Sequence, residues 1–225
     1  MNIYSTNTFI GGAMHPDPYD TDIDVTRIKA NKFERACRLF VLCVLVSLGG
    51  WVFETVGCFV AFGSSGDRGF LTLPLCPIYG ISITAIYLLV GTPVRLTGPL
   101  GGRIRRTGLW RKTVQNKKWR KYAFYFIFVT LLSTAAELVT GLAMKPFGVK
   151  LWNYEDQPLN LFGVICPTYS LLWGVLITAF MSLAWKPLFD LIAKIPKRPL
   201  YSLSLTLAVP IAADFTVNAI KLFIG

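Results

Sequence analysis

The chain has 225 residues, of which 53% are hydrophobic and only 16% are charged, and its mean hydropathy is +0.52. Because soluble domains carry about 25% charged residues, this composition indicates an integral membrane protein. The net charge of +11 does not indicate a nucleic-acid partner, because the basic residues form blocks between long apolar runs rather than one basic surface.

The first segment, residues 1–35, is predicted to be a flexible cytoplasmic tail. Its first 26 residues are polar and contain Pro16 and Pro18, without the basic stretch and apolar core of a signal peptide. The remainder, 36–225, is predicted to be a single transmembrane domain.

Five apolar runs follow, each long enough for the roughly 20 helical residues that cross a bilayer. They lie near 39–62, 71–92, 122–144, 161–185 and 200–224. The predicted fold is therefore all-α, an integral membrane protein with five transmembrane helices.

Lysines and arginines predict the orientation of these helices. Residues 27–38 carry five, the 93–121 loop carries ten and 186–199 carries four of the twenty-three in the chain. Since basic loops stay in the cytoplasm, the pattern predicts a multi-pass protein of the cell membrane with its N-terminus cytoplasmic and its C-terminus outside.

A short motif occurs twice. "PLCPIYG" (74–80) matches "VICPTYS" (164–170), and an acid, Glu54 or Glu137, precedes each copy in the preceding apolar run. One interpretation is two parallel helical-hairpin repeats, 38–92 and 122–185, separated by the basic loop 93–121 and closed by a fifth helix at 200–224. A chance match of so short a motif is the alternative.

Three acids are predicted to share one depth. Glu54, Glu137 and Asp214 each stand sixteen residues after the last basic residue before their run, which places them roughly 24 Å along a helix, in the outer half of the bilayer. Four residues of the Cys-Pro-x-Tyr motifs should reach a similar level, and one polar residue lies a helical turn beyond Asp214: Cys76, Tyr79, Cys166, Tyr169 and Asn218.

This polar belt has two interpretations. Ionisable groups within a membrane usually face a cavity or each other, which favours a site open to the outside. Hydrogen-bonded carboxylates that merely fasten helices together are the alternative.

The two outer loops carry further candidates. Arg68, in "GSSGDRGFL", could pair with Glu54 or Glu137, could hold an anionic group, or could be a solvated loop charge. The longer loop contains Trp152, Tyr154 and Asn160, which are either interfacial anchors or part of a lid over the site.

The sequence lacks the residues that several kinds of functional site require. The sequence has no G-x-x-x-x-G-K-[ST] phosphate loop, its one histidine, His15, is in the tail, and no His/Cys spacing suits a metal. We therefore predict no cofactor and no metal, and the five cysteines imply no disulfide framework because all lie in apolar runs.

Four segments together resemble a known family: "GWVFETVG", "DRGFLTLPLCPIYG", "AAELVTG" and "LWNYEDQPLNLFGVICPTYSLLWG". They are similar to the CmpB-like membrane family labelled Putative ABC-transporter type IV, over about residues 38–185. The family has an aspartate where this chain has Asn153, so the resemblance carries over no role for that carboxylate. It implies a permease, and the positions that it marks are Glu54, Arg68, Tyr79, Glu137, Trp152, Tyr154 and Asn160.

The resulting hypothesis is a small permease or permease-like subunit in which Glu54, Glu137 and Asp214 bind a cationic substrate or proton from outside, with Arg68 as the gate. An ATPase, if one drives transport, would be a separate subunit, and the basic loop would contact that subunit or anionic lipid headgroups. A homodimer is compatible with the small size. Enzymatic activity is less favoured, but the alternatives are a membrane enzyme acting on a lipid or isoprenoid phosphate, with a carboxylate as general base, and a non-catalytic assembly or accessory protein.

Overall fold

The computed structural model describes residues 31–63, 70–114, 117–148 and 152–224, and most of these residues are helical. Arg68 and the first thirty residues of the predicted tail lie outside this described part. Apart from two isolated β-bridges, the described ranges contain no strand. The helices are α1 (Lys32–Phe62), α2 (Pro77–Leu89), α3 (Gly98–Arg106), α4 (Lys118–Met144), α5 (Pro167–Ala179), α6 (Trp185–Ala193) and α7 (Lys197–Ile224), with a π-helical turn at Trp110–Val114 and another, Phe180–Ala184, that joins α5 to α6.

Among the described residues, four helical segments are long and apolar enough to cross a membrane, which confirms the prediction of a helical membrane protein. These segments are Lys32–Val60, Lys118–Met144, Pro167–Ala193 and Lys197–Lys221. Large apolar side chains on their surfaces are exposed, for example Leu205 and Val209 on α7, as expected for helices in contact with lipid.

The second and fourth predicted runs are helical only in their later parts, since α2 begins at Pro77 and α5 at Pro167, and the second differs from the other four because its helix is short. α2 has 13 residues, about 20 Å of helix, which is less than the hydrocarbon core is thick. Pro77 begins the helix, and the extended residue before it, Cys76, donates its backbone N–H to the Ser47 carbonyl of α1 at 3.0 Å. Leu75 and Cys76 are buried, so the irregular backbone directly before α2 is covered by protein, whereas Thr72 and Pro74 earlier in the segment are exposed.

α1 and α2 pack against each other in antiparallel orientation through glycines. Gly80 of α2 lies directly against the Cys43 carbonyl and the Ser47 side chain, and Gly50 of α1 lies against the Tyr79 ring. A β-carbon at either glycine would collide with these neighbours, so the glycines allow the two helices to approach closely.

α4 and α5 form a second antiparallel pair of the same kind. Gly174 of α5 lies against Thr130 and Phe126 of α4, and Gly141 of α4 faces the Val164 side chain just before α5. Tyr125 of α4 joins the two pairs. It is fully buried, and its hydroxyl donates at 2.9 Å to the carbonyl of Gly91, which follows α2.

A buried ion cluster fastens the N-terminal end of α1 to the region where α6 ends and α7 begins. The Arg38 guanidinium donates to the carbonyls of Ile192 and Ile195 and to the Glu34 carboxylate at 2.8 Å. Lys197 approaches the other Glu34 oxygen at 3.2 Å. Because the charges of Glu34 and Arg38 are buried, each needs its partner, whereas Lys197 reaches Glu34 from an exposed position. The cluster fixes how the three helices meet.

Candidate functional site

Glu54 is bonded by side chains from the start of α2. Tyr79 donates its hydroxyl to Glu54 Oε1 at 2.9 Å, and the Cys76 thiol lies 3.6 Å from Oε2. Gly50 stands one turn before Glu54 on the same face of α1, so the Tyr79 ring rests on the glycine while its hydroxyl reaches the carboxylate.

Glu137 also has a phenol as its partner, but this phenol comes from the outer loop. Tyr154 donates its hydroxyl to Glu137 Oε1 at 3.0 Å, and its ring stacks on Tyr169 of α5 with a centroid separation of 4.7 Å. Burial raises the pKa of the Tyr154 phenol, and the adjacent Glu137 carboxylate raises it further. The phenol therefore remains protonated, and a donor, at neutral pH.

Trp173 lies between the two Glu–Tyr pairs. The centroid of its ring is 5.5 Å from that of Tyr79 in an edge-on arrangement, and the Trp173 side chain also interacts with the Tyr154 phenol. A continuous set of contacts therefore runs from Glu54 through Tyr79, Trp173 and Tyr154 to Glu137. We call these five residues and Tyr169 the twin-glutamate cluster.

Trp173 was not among the residues singled out from the sequence. It stands four positions after Tyr169, hence on the same face of α5, and that spacing was the available signal.

Trp152 and Asn160 shape the loop that carries Tyr154. The Trp152 indole donates to the Val164 carbonyl at 2.7 Å. Asn160 donates to the Glu155 carbonyl and accepts from the Gly163 amide, both at 3.0 Å. Their described partners are therefore groups within the loop itself.

Asp214 and Asn218 contact the segment that precedes α2. Asp214 Oδ2 accepts the Leu73 N–H at 3.0 Å, and Asn218 donates to Asp214 Oδ1 at 3.0 Å and to the Thr72 hydroxyl at 3.2 Å. The Phe70 and Phe215 rings pack against each other nearby, with their centroids 5.3 Å apart. Asp214 thus acts on the chain just before Cys76 and Tyr79, not directly on either glutamate.

The structure therefore distributes the predicted site residues among separate surroundings. Five of them meet in the twin-glutamate cluster, two hold the 72–73 segment and two organise the outer loop, while Arg68 lies outside the described residues. Within the described ranges, no group of three His, Cys, Asp or Glu side chains could hold a metal ion.

Comparison with known proteins identifies the family. Neither a curated protein nor a solved structure matches the chain. The CmpB family, described as Putative ABC-transporter type IV, matches residues 41–219, a range that includes every residue of the twin-glutamate cluster. Because this match covers most of the chain, the protein belongs to that family.

Proposed function

We propose that this membrane protein is a small permease or permease-like subunit in which Glu54 and Glu137 take up a proton or a cationic substrate from the outer side. Membership of a transporter family and the apolar helices support a transporter-like protein. The observation that carries the proposed site is that both glutamates are bonded by phenols and that the Trp173 side chain lies beside both tyrosines.

The chemistry of the cluster suits a positive ligand. An isolated carboxylate costs several kcal/mol within a membrane, and a phenol donor compensates part of that cost for the ionised form. A cation beside Glu54 or Glu137 would neutralise the remaining charge, and the faces of Tyr79 and Trp173 would add cation–π attraction. Uptake of a proton instead would remove the charge from the carboxylate directly.

In this proposal the membrane topology has five crossings, with α2 as the shortest. The α1–α2 and α4–α5 pairs support two hairpins of one design, since each second helix begins at the proline of a Cys-Pro pair. The blocks of basic residues support a cytoplasmic N-terminus and an outer C-terminus. Arg68, in the outer loop before Phe70, would close the entrance to the glutamates.

Asp214 has a different role in this proposal from the two glutamates. Asp214 holds the segment before α2 through the Leu73 N–H, and Asn218 holds it through the Thr72 hydroxyl; this segment sets the positions of Cys76 and Tyr79 beside Glu54. The sequence hypothesis of three equivalent acids becomes two ligand-binding acids and one that positions the first hairpin. An ATPase, if one drives uptake, is a separate subunit.

The test is uptake by purified protein in liposomes, with a pH-sensitive dye for protons and labelled monovalent cations as alternative substrates. Glu54→Gln and Glu137→Gln should each abolish uptake, because the amide keeps the shape of the side chain but removes its negative charge. Asp156→Asn is the matched control, since it neutralises an exposed acid of the outer loop outside the cluster. Uptake that is equal in wild type and in both glutamine variants would refute the proposal.

A non-catalytic accessory role is the second candidate, and the neutral partners of the acids favour it. Phenols and a backbone amide bond all three carboxylates, as they would if the acids only fastened helices together. This role predicts no uptake by wild-type protein and a lower melting temperature for Glu54→Gln in detergent. Uptake that depends on Glu54 would exclude it.

A further inference from the structure

The connection between α2 and α4 is strongly basic and contains no acid of its own. Residues 93–121 hold ten Lys and Arg and no Asp or Glu. Five of these side chains stand exposed on α3 and on the turn that follows it: Arg103, Arg105, Arg106, Arg111 and Lys112. We call these five residues the basic collar.

The collar is held against the end of the helical bundle. Gly101 of α3 packs on the Val90 carbonyl with no space for a side chain. Trp110 is only 4% exposed, and the centroid of its ring lies 5.4 Å from that of Phe124 on α4. Since α2 ends at Leu89 and α4 begins at Lys118, these contacts keep the collar at the end of the bundle where α2 ends and α4 begins.

Large apolar side chains are exposed beside the collar. Leu109 is 61% exposed and Trp119 is 65% exposed, and the Arg120 guanidinium lies over the Trp119 ring at 5.4 Å. A surface that faced only water would gain nothing from exposing these two residues. At a membrane surface, tryptophan and leucine enter the headgroup boundary while basic side chains remain among the headgroups.

We propose that the basic collar, with Leu109 and Trp119, is a lipid-binding surface that selects anionic phospholipid headgroups of the adjoining leaflet. The charge is complementary to phosphate, and the arginines can bond phosphate oxygens in a bidentate manner. This inference is independent of the uptake proposed for the glutamates. An acidic face of a partner protein is the competing occupant.

Quenching of Trp119 fluorescence by brominated lipid tests the proposal on the full chain in nanodiscs. A minority of brominated phosphatidylglycerol in phosphatidylcholine is compared with the same fraction of brominated phosphatidylcholine, and Trp119→Phe identifies the part of the signal that comes from this residue. The Trp119 signal should be quenched more strongly by the anionic lipid. High NaCl should reduce that preference, because salt screens exposed charges.

Arg103→Gln/Arg105→Gln/Arg106→Gln should lower the preference by roughly fivefold or more, since each basic residue near an anionic surface contributes substantially to binding. The control Lys186→Gln/Lys194→Gln/Lys221→Gln removes the same number of positive charges from exposed positions outside the collar. This variant should retain most of the preference for the anionic lipid. Equal quenching by the two brominated lipids in wild type would overturn the proposal in favour of a protein partner. Equal losses in the two triple variants would also overturn it, because net charge alone would then explain the preference.

Discussion

The two helical pairs provide a hydrogen-bond donor to their glutamate in different ways. In the first, the tyrosine of the Cys-Pro-x-Tyr motif, Tyr79, gives its hydroxyl to Glu54. In the second, the corresponding Tyr169 supports the ring of Tyr154, and Tyr154 gives its hydroxyl to Glu137. A membrane carboxylate needs a donor, but the same motif does not have to supply it when a longer outer loop can reach the acid.

The largest expected difference between the two pairs is in their glycine contacts. Gly80→Ala should destabilise the protein by about 1–3 kcal/mol or more, because the added carbon meets the backbone carbonyl of Cys43, which cannot rotate away. Gly174→Ala should cost less, since its nearest neighbour is the Thr130 side chain. The measurement is the melting temperature in detergent.

Gly49→Ala is the control for these glycines, because no atom lies within 4 Å of the position that its β-carbon would occupy. Its melting temperature should equal or exceed that of wild type, since alanine favours a helix over glycine. A Gly174→Ala variant less stable than Gly80→Ala would contradict the proposed order.

The next difference concerns the two motif tyrosines. Tyr79→Phe should cost about 1–3 kcal/mol, because it removes the donor to a half-buried Glu54 oxygen. Tyr169→Phe keeps the ring that supports Tyr154 and should change stability by less than about 0.5 kcal/mol. Reversible unfolding by denaturant in mixed micelles measures both, and equal effects would show that the hairpins use these tyrosines alike.

Stacking can be tested at Tyr169 alone. Tyr169→Leu keeps an apolar side chain but loses the ring contact with Tyr154, which should cost about 0.5–1.5 kcal/mol in the same unfolding experiment. Tyr169→Phe serves as the control because it preserves the ring. Identical stability of the Leu and Phe variants would exclude a stacking role.

The smallest effect should appear at alkaline pH. An unfolded tyrosine titrates near pH 10, whereas burial raises the pKa of folded Tyr154. Its contribution is therefore complete below about pH 10 and is lost as the pH rises above that value. The melting temperature of wild type should fall more steeply between about pH 9 and about pH 11 than that of Tyr154→Phe, and parallel curves would contradict this.

Much of the helical architecture followed from the sequence, because long apolar runs have few alternatives in a membrane. Four of the five runs gave spanning segments, and both Cys-Pro pairs begin helices as a proline at the first position allows. Residues 71–76 were expected to be helical because they belong to an apolar run. Hydropathy, however, reports burial and does not distinguish helical from irregular backbone. Leu71 and Leu75 are indeed buried, yet on irregular backbone.

The site was less predictable, since its decisive contacts have no periodic pattern. The choice of Tyr154 over Tyr169 as the donor to Glu137 depends on how the outer loop folds back. The partner of Asp214 is the Leu73 backbone N–H, which any residue but proline could offer. Equal depth predicts that Glu54, Glu137 and the motif tyrosines lie at one level, but it could not assign each acid the phenol that bonds it.

The ion cluster around Arg38 has a consequence for biosynthesis. Its acceptors at Ile192 and Ile195 lie more than 150 positions later in the chain, as does Lys197. During translation, α1 is therefore made before the two carbonyls that its Arg38 guanidinium bonds, and only Glu34 of its partners is already present. The N-terminal end of α1 is thus secured late in synthesis, and chains truncated before residue 192 should be degraded faster by the quality-control proteases of the membrane.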